Sequence, residues 1–294
     1  ESPFLITRVD DVEAGAIYAA KKAERVRLEN VVANTATNNV RQTLSGIAGL
    51  NIWESDGAGL QLGIGGRGLN PNRTSNFTTR QNGYDISADS LGYPESYYTP
   101  PLQALDRIDV IRGAGALRYG TQFGGVVNFV FREGPRDRPL AADATLTGGS
   151  FGFVGAFARV GGTVERTNYT ALYQFRRSDG WRPNSDMHQH TAYAAVTVPL
   201  GSEWRIRADY TFMTYLAHQP GGLTDRMFEL DPTTSVRARN WFAVDWNLAS
   251  VTVDWFGSAT TSVRSTTFVN LSGRDALGDL DRINTADLGE PRTM

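Results

Sequence analysis

Three stretches hold residues whose types and spacing could do chemistry. Residues 70–87, NPNRTSNFTTRQNGYDIS, crowd Arg73, Arg80, Asn72, Asn76, Gln81, Asn82 and Tyr84 together with few acids. Guanidinium forks grip carboxylate or phosphate bidentately, so the stretch fits a site for an anionic ligand; composition alone describes an ordinary solvated loop equally well. GIGGRG, Gly63 to Gly68, matches the dinucleotide pattern G-x-G-x-x-G. Such glycines must open a helix inside a βαβ unit, whereas these run into LNPNRTSNF, with Pro71 and no helical apolar period, which argues against a nucleotide-dependent enzyme. HQH places His188 and His190 on one face of a strand near Asp186, a spacing a metal could use, but His218 is far off in sequence, and solvated histidines at a strand start are the plainer expectation. No G-x-S-x-G nucleophile elbow is present.

The bulk numbers set bounds. The 294 residues carry 29 Lys+Arg against 31 Asp+Glu, a net charge of -2, with no basic stripe to suggest a nucleic-acid partner. Cysteine is absent, which removes disulfides and thiolate metal sites. No apolar run is long enough for a membrane helix, but a membrane β-barrel stays open, because its strands alternate and give a weak hydropathy signal. The 31 glycines, 14 Phe, 11 Tyr and 6 Trp favour turns and sheet over a helical bundle.

The elements that must position these residues change character near PRDRP, Pro135 to Pro139. Before it they are mixed. VRQTLSGIAG predicts a short helix with Val40, Leu44 and Ile47 on one face, and LNIWE a strand after it. Leu60, Leu62 and Ile64 alternate as a further strand. LGYPESYYTPP reads as a loop, and ALDRIDVIRG as a strand with Ile108 and Val110 on one face and Asp109 and Ile111 on the other. After PRDRP nearly everything alternates. Trp204, Ile206, Ala208, Tyr210 and Phe212 oppose Arg205, Arg207, Asp209 and Thr211; Tyr169, Ala171, Tyr173 and Phe175 oppose Thr170, Gln174 and Arg176; Val251, Val253 and Trp255 oppose Ser250, Thr252 and Asp254. Further strands are expected near 141–149, 152–162, 189–199 and 262–272, about seven in all.

Alternation alone also suits a soluble β-sandwich with one wet face, as in a soluble binding or adhesion protein. Two features favour the membrane. Tyr169, Tyr173, Trp204, Tyr210, Tyr215, Trp241, Trp246 and Trp255 gather near strand ends or on apolar faces, as interfacial girdles do. PLGSEW and GSATTS are short turns, while 216–239 is a long polar loop, the asymmetry of outer-membrane barrels.

ALDRIDVIRGAGALRYGTQFGGVVNFVFREG closely resembles the end of the plug domain of TonB-dependent outer-membrane receptors. The ordered matches are Arg107, Asp109, Arg112-Gly113, Tyr119-Gly120 and Gly124-Gly125-Val126-Val127-Asn128. VRQTLSGIAGLNI and GGRGLNPNR resemble the upstream plug helix and strands. RGLNPNR, ALRYGTQFGGVVNFV and HQPGGLTDR resemble ferric citrate receptors of the FecA type in sequence order. The resemblance implies an α+β plug, residues 1–137, inside a transmembrane antiparallel β-barrel of about 22 strands when complete. Residues 138–294 would supply the first seven or so, so the chain is expected to be a fragment; whether a signalling or carboxypeptidase-like domain precedes Glu1 is left open.

The implied activity is uptake of a ferric chelate, with ferric citrate or a similar anionic siderophore as the expected cargo and another siderophore, a cobalamin-like chelate or an oligosaccharide as the alternative. The implied partners are the chelate, TonB with ExbB–ExbD, and outer-membrane lipid. No covalent chemistry, cofactor or direct metal ligand is expected, the iron travelling within the chelate. The plug arginine of the family's R-G-L motif falls at Arg67, a plug-apex threonine at about Ala58, and a barrel-loop arginine at Arg274. With the polar stretch above, the expected ligand set is Arg67, Arg73, Asn76, Arg80, Gln81 and Arg274. Tyr93, Tyr97 and Tyr98 leave room for an aromatic ligand face. Arg107, Asp109 and Arg112 are expected to seat the plug by pairing on the plug or the barrel wall, because buried charges need partners. FLITRVDD is the nearest candidate for a TonB box.

Overall fold

The computed structural model describes residues 6–13, 16–18, 22–54, 59–74, 76–87, 97–120, 123–278 and 286–287. Ala58, Tyr93 and the first two residues of FLITRVDD lie outside them. Its strands are, in chain order, β1 (Ile6–Arg8), β2 (Val12–Glu13), β3 (Ala16–Ile17), β4 (Lys22–Arg27), β5 (Leu50–Glu54), β6 (Leu62–Gly66), β7 (Phe77–Gln81), β8 (Tyr84–Asp85), β9 (Leu105–Arg112), β10 (Gly125–Phe131), β11 (Ala141–Gly148), β12 (Val154–Val164), β13 (Thr167–Ser178), β14 (Met187–Leu200), β15 (Trp204–His218), β16 (Trp241–Phe256) and β17 (Ser262–Leu277).

The first part is built on a six-stranded sheet in the order β1-β4-β9-β10-β7-β8, with β10 and β7 parallel and the other pairs antiparallel. β9 and β10 are buried along almost their whole length, which fits their runs of Ile, Val and Phe. Helix α1 (Val40–Leu44) is capped by Asn39, whose side chain accepts from the Gln42 amide at 2.8 Å, and it buries Val40 and Leu44. Residues 6–8 of the TonB-box candidate pair with β4 as an edge strand.

The GIGGRG stretch takes a form set by close approach. Gly63, Gly65 and Gly66 lie in β6, paired with β5, and the chain from Leu69 to Pro71 folds back over them. A Cβ at Gly65 would sit 2.3 Å from the Leu69 carbonyl oxygen, so only glycine fits there. Only a short 3-10 turn, Asn72–Thr74, follows, instead of the helix a dinucleotide site requires. Thr74 closes the loop: its hydroxyl donates to the Leu62 carbonyl at 2.6 Å and accepts from the Ile64 amide at 3.3 Å.

The second part is one antiparallel sheet, β11 to β17 in sequence order, each strand paired with the next. Six of the seven have at least the roughly 9–11 residues that cross a bilayer at a tilt. β16 starts nine residues before the alternating SVTVDWF stretch. The expected alternation holds: in β15, Asp209, Thr211, Met213 and Tyr215 are buried on the inner face while Tyr210 is exposed on the outer. Tyr215 and Trp246, grouped above with the interfacial aromatics, instead point inward. Their strand parity puts them on the same side as Thr211 and Ser250, against Phe242 and Tyr98. Connections of two, three and five residues (165–166, 201–203, 257–261) mark one end of this wall; the connection 219–240, which holds the short helix α2 (Asp225–Leu230), marks the other. One apolar cluster joins the two parts: Tyr84, Tyr98, Phe129 and Phe131 of the first pack with Phe157, Leu172, Met213 and Trp246 of the wall.

Candidate functional site

The six residues of the expected ligand set fall into three places. Arg67, Arg73 and Asn76 share the loop that folds over β6. Arg67 stands exposed at the end of β6 in a left-handed conformation (φ 55°), its amide held by the Gly49 carbonyl at 3.0 Å. Asn76 is half-buried; its side-chain amide donates to the Asn70 carbonyl at 3.4 Å and its own carbonyl accepts from Gly124. The Arg73 backbone lies in the 3-10 turn, and its side chain lies outside what is described.

Arg80 and Gln81 are neighbours on β7 and therefore face opposite ways. Gln81 is wholly buried and meets the wall: its amide donates to Tyr84 Oη at 2.7 Å and to Thr211 Oγ1 at 2.9 Å, and accepts from Tyr98 Oη at 2.9 Å. A group so enclosed fastens the plug and offers nothing to a ligand. Arg80 donates to the Gly83 carbonyl at 2.8 Å and the Tyr119 carbonyl at 2.9 Å, with Asp85 at 3.8 Å and the Tyr119 ring beneath its guanidinium. Burial, with Arg118 adding a like charge, holds the Arg80 pKa below its usual range against the pull of Asp85.

Between these strands sits a device the sequence reading passed over. Asn82 (φ 49°) and Gly83 (φ 94°) form the two-residue turn of the β7–β8 hairpin, and Asn-Gly is the strongest short signal for it. The turn aims Asn82 at the wall, where Nδ2 donates to Tyr193 Oη at 3.2 Å, and places Tyr84 so that its hydroxyl donates to Asp209 Oδ1 at 2.5 Å. Ser250 Oγ donates to the other oxygen of Asp209 at 2.9 Å. Burial, then the neighbouring Asp209 charge, pushes the Tyr84 pKa well above the tyrosine range, so it stays a donor.

Arg274 lies on β17 near the long-loop end of the wall. Its guanidinium hydrogen-bonds Tyr97 Oη and rests over the rings of Tyr97 and Phe242 at 5.4 and 5.3 Å from their centroids. Tyr97 and Arg274 thus form a plug–wall pair, while Tyr98 is buried, stacked on Trp246 at 6.0 Å.

The plug charges find their partners within the plug. Arg25 Nε donates to Asp109 Oδ1 at 2.7 Å and its Nη2 reaches Glu13 at 2.9 Å. Arg107 meets Asp106 at 3.0 Å, Asp109 at 3.3 Å and Glu13 at 3.5 Å. Arg112 meets Glu24 at 2.5 Å and the Ala48 carbonyl at 2.8 Å. Among the described residues, Arg107, Asp109 and Arg112 find their partners in the plug, and the wall supplies none of them. β4 and β9 are paired antiparallel with Arg25 opposite Asp109, which presents the ions across one rung. Burial opposes the charge on Arg25, but Asp109 and Glu13 outweigh it and raise its pKa.

His188 and His190 sit on the outward face of β14. His190 Nδ1 hydrogen-bonds Tyr173 Oη at 2.6 Å, and Asp186 pairs with the distant His218 at 3.0 Å. Among the described residues no cluster of three or more His, Asp or Glu could hold a metal ion.

Residues 22–127 match the family model of the TonB-dependent Receptor Plug Domain. Among solved structures, the chain is similar to the ferric citrate transporter FecA in its unliganded form, with 28% identity, 86% of this chain and 40% of that chain covered, and a TM-score of 0.75. It is also similar to the siderophore receptor PirA from Pseudomonas aeruginosa (14% identity, 87% and 41% covered, TM-score 0.62) and to the ferric-catecholate import receptor Fiu from E. coli K12 (15% identity, 87% and 39% covered, TM-score 0.66), likenesses that show the fold alone. The chain thus spans about 40% of the length of the receptors it matches. That family comprises outer-membrane transporters and receptors, and not enzymes. The plug match and the wall beside it give this chain the plug domain of a TonB-dependent receptor of the bacterial outer membrane, followed by a run of antiparallel strands like those of the matched receptors' barrels.

Proposed function

We propose that the receptor takes up an anionic ferric chelate, ferric citrate or one much like it, with TonB and ExbB–ExbD supplying the energy. The observation that carries this reading is the likeness to FecA, at 28% identity over 86% of the chain, where the other receptors named share 14–15%. Arg67 supports it as an exposed guanidinium on a backbone held by the Gly49 carbonyl, and Arg274 as a guanidinium backed by two rings near the long-loop end. A guanidinium held in place loses less freedom when it forks onto a carboxylate.

The mechanism is binding followed by a forced rearrangement of the plug, the two plug states differing in the contacts they make. In this reading Arg67, Arg274 and Asn76 touch the chelate, Arg73 joins them from the same loop, and Gln81 and Arg80 act by holding β7. The test is a titration of the full-length receptor with ferric dicitrate, iron-free citrate and a ferric hydroxamate, followed by tryptophan fluorescence. Tight binding of ferric dicitrate that weakens roughly 10- to 100-fold in Arg67→Ala and in Arg274→Ala, the loss of one charged hydrogen bond, supports cargo and site together. Binding of the hydroxamate alone removes the citrate assignment.

A further inference from the structure

At the short-turn end of the wall, below the plug sheet, a cavity of about 1,340 Å³ is lined by both parts of the molecule. Its lining holds eleven arginines and seven carboxylates. The carboxylates are nearly all taken. Glu13 and Asp109 hold Arg25 and Arg107, Asp106 holds Arg107, Glu133 meets Arg136 and Arg207, and Asp254 is gripped by both Arg205 and Arg264. Asp209 has Tyr84 and Ser250, with Arg207 at 3.7 Å. Of the seven, only Glu29 has no arginine beside it among the described residues.

What remains is an excess of cation. Arg118 has the Tyr119 ring, at 5.0 Å, and no carboxylate among the described residues. Arg132 has the Leu105 carbonyl at 2.8 Å, and Arg166 the Gly201 carbonyl at 2.9 Å. Arg80 shares the Tyr119 ring with Arg118, so two like charges crowd one ring, and its Nε is buried without a partner. A guanidinium has five donors, and a carbonyl or a ring face leaves most of them and the charge unanswered. Three such groups, Arg118, Arg132 and Arg166, with Arg80 beside them drawn only partly to Asp85 at 3.8 Å, call for an anion with several separated charges, and phosphate, a single compact anion, answers them less well than a polycarboxylate.

We infer that this cavity is a second anion site, distinct from the Arg67 loop and from Arg274, that takes a small polycarboxylate and receives the carboxylates of the cargo as it leaves the plug. The inference rests on the reading of the cargo as a carboxylate chelate. Arg118 and Arg166 are exposed and hold no strand together, so they can be changed without unseating the plug.

The test is equilibrium dialysis of radiolabelled, iron-free citrate against the full-length receptor in detergent, for wild type, Arg118→Gln and Arg166→Gln, with inorganic phosphate as competitor and ferric dicitrate binding measured in parallel. The expected result is a citrate site that weakens tenfold or more in each variant, resists equimolar phosphate, and leaves ferric dicitrate affinity unchanged. Citrate binding that neither variant alters, or that equimolar phosphate abolishes, overturns the inference while leaving the cargo reading standing. Absent ferric dicitrate binding alongside an Arg118-dependent citrate site removes the cargo reading and leaves this cavity site in place. Binding of neither removes both.

Discussion

The inside of the plug and its seam with the barrel wall are built from different chemistry. Inside the plug, Arg25 and Arg107 answer Glu13, Asp106 and Asp109 in one charged network across β4 and β9, and Arg112 answers Glu24 as a separate pair. At the seam the contacts are mostly neutral: Gln81 with Thr211, Asn82 with Tyr193, Tyr98 on Trp246, and Phe131 stacked on Tyr193 at 4.1 Å. Wall charges enter this seam where Asp209 meets Tyr84, Arg274 meets Tyr97 and Arg176 meets the Thr37 carbonyl, each with a neutral group on the plug side, and one ion pair crosses it, Glu133 with Arg207 at 3.0 Å, close to where the plug chain runs into the wall. The difference teaches how a plug can be rigid and yet movable. Buried ion pairs are costly to break because each partner is left as an uncompensated charge. Neutral hydrogen bonds exchange with water at a modest net cost. A plug that answers its buried charges within itself, with only the half-exposed Glu133 paired to the wall, can leave the wall as a unit.

The sharpest way to break this contrast is Asp109→Ala. It leaves Arg25, 9% exposed in its side chain, without its closest partner, and should cost the plug about 3–5 kcal/mol, read as a lower denaturation midpoint of the full-length receptor. Gly65→Ala forces a Cβ onto the Leu69 carbonyl and should displace the Arg67 loop; a loss of about 1–3 kcal/mol in the same assay, with weakened chelate binding, is expected. Tyr84→Phe acts at the seam and takes one acceptor from Gln81, leaving the charged network untouched. It removes one of the two hydroxyls donated to Asp209 and should loosen the plug by about 1–3 kcal/mol, seen as faster proteolysis of the β7–β8 hairpin with little change in β9. The same bond gives a pH dependence. Because the folded-state pKa of Tyr84 is raised, its contribution is fully present below the ordinary tyrosine range and is lost as pH rises through the raised value. Alkali above that range should release the seam in wild type more than in Tyr84→Phe. The smallest effect belongs to Arg159→Ala, whose pair with Asp143 is half open to solvent and should be worth under about 1 kcal/mol.

Much of this architecture was legible before any coordinates. The wall strands follow from period-two alternation, and the inner face of each was set by parity once one face was polar. Two kinds of feature were not legible. The inward turn of Tyr215 and Trp246 depends on the plug filling the lumen with an apolar surface, which no single strand records. The separation of Arg80 from Gln81 depends on β7 being a buried strand and not a loop: its run FTTRQ lacks clear polarity contrast, so two neighbouring polar residues read as one site when they face opposite sides. The Asn-Gly turn at Asn82 was a signal present in the sequence that would have placed that strand.

The central claim, that the neutral seam must open while the plug stays whole, has a direct test. This chain contains no cysteine, so Gln81→Cys with Thr211→Cys places one thiol on each side of the seam. In the full-length receptor a short, reducible thiol cross-linker would tie plug to wall there. The measurement is TonB-driven uptake of labelled iron from ferric dicitrate before cross-linking, after it, and after reduction. The account predicts binding unchanged throughout, uptake lost on cross-linking and restored by reductant. Uptake at the same rate in the cross-linked receptor would contradict it.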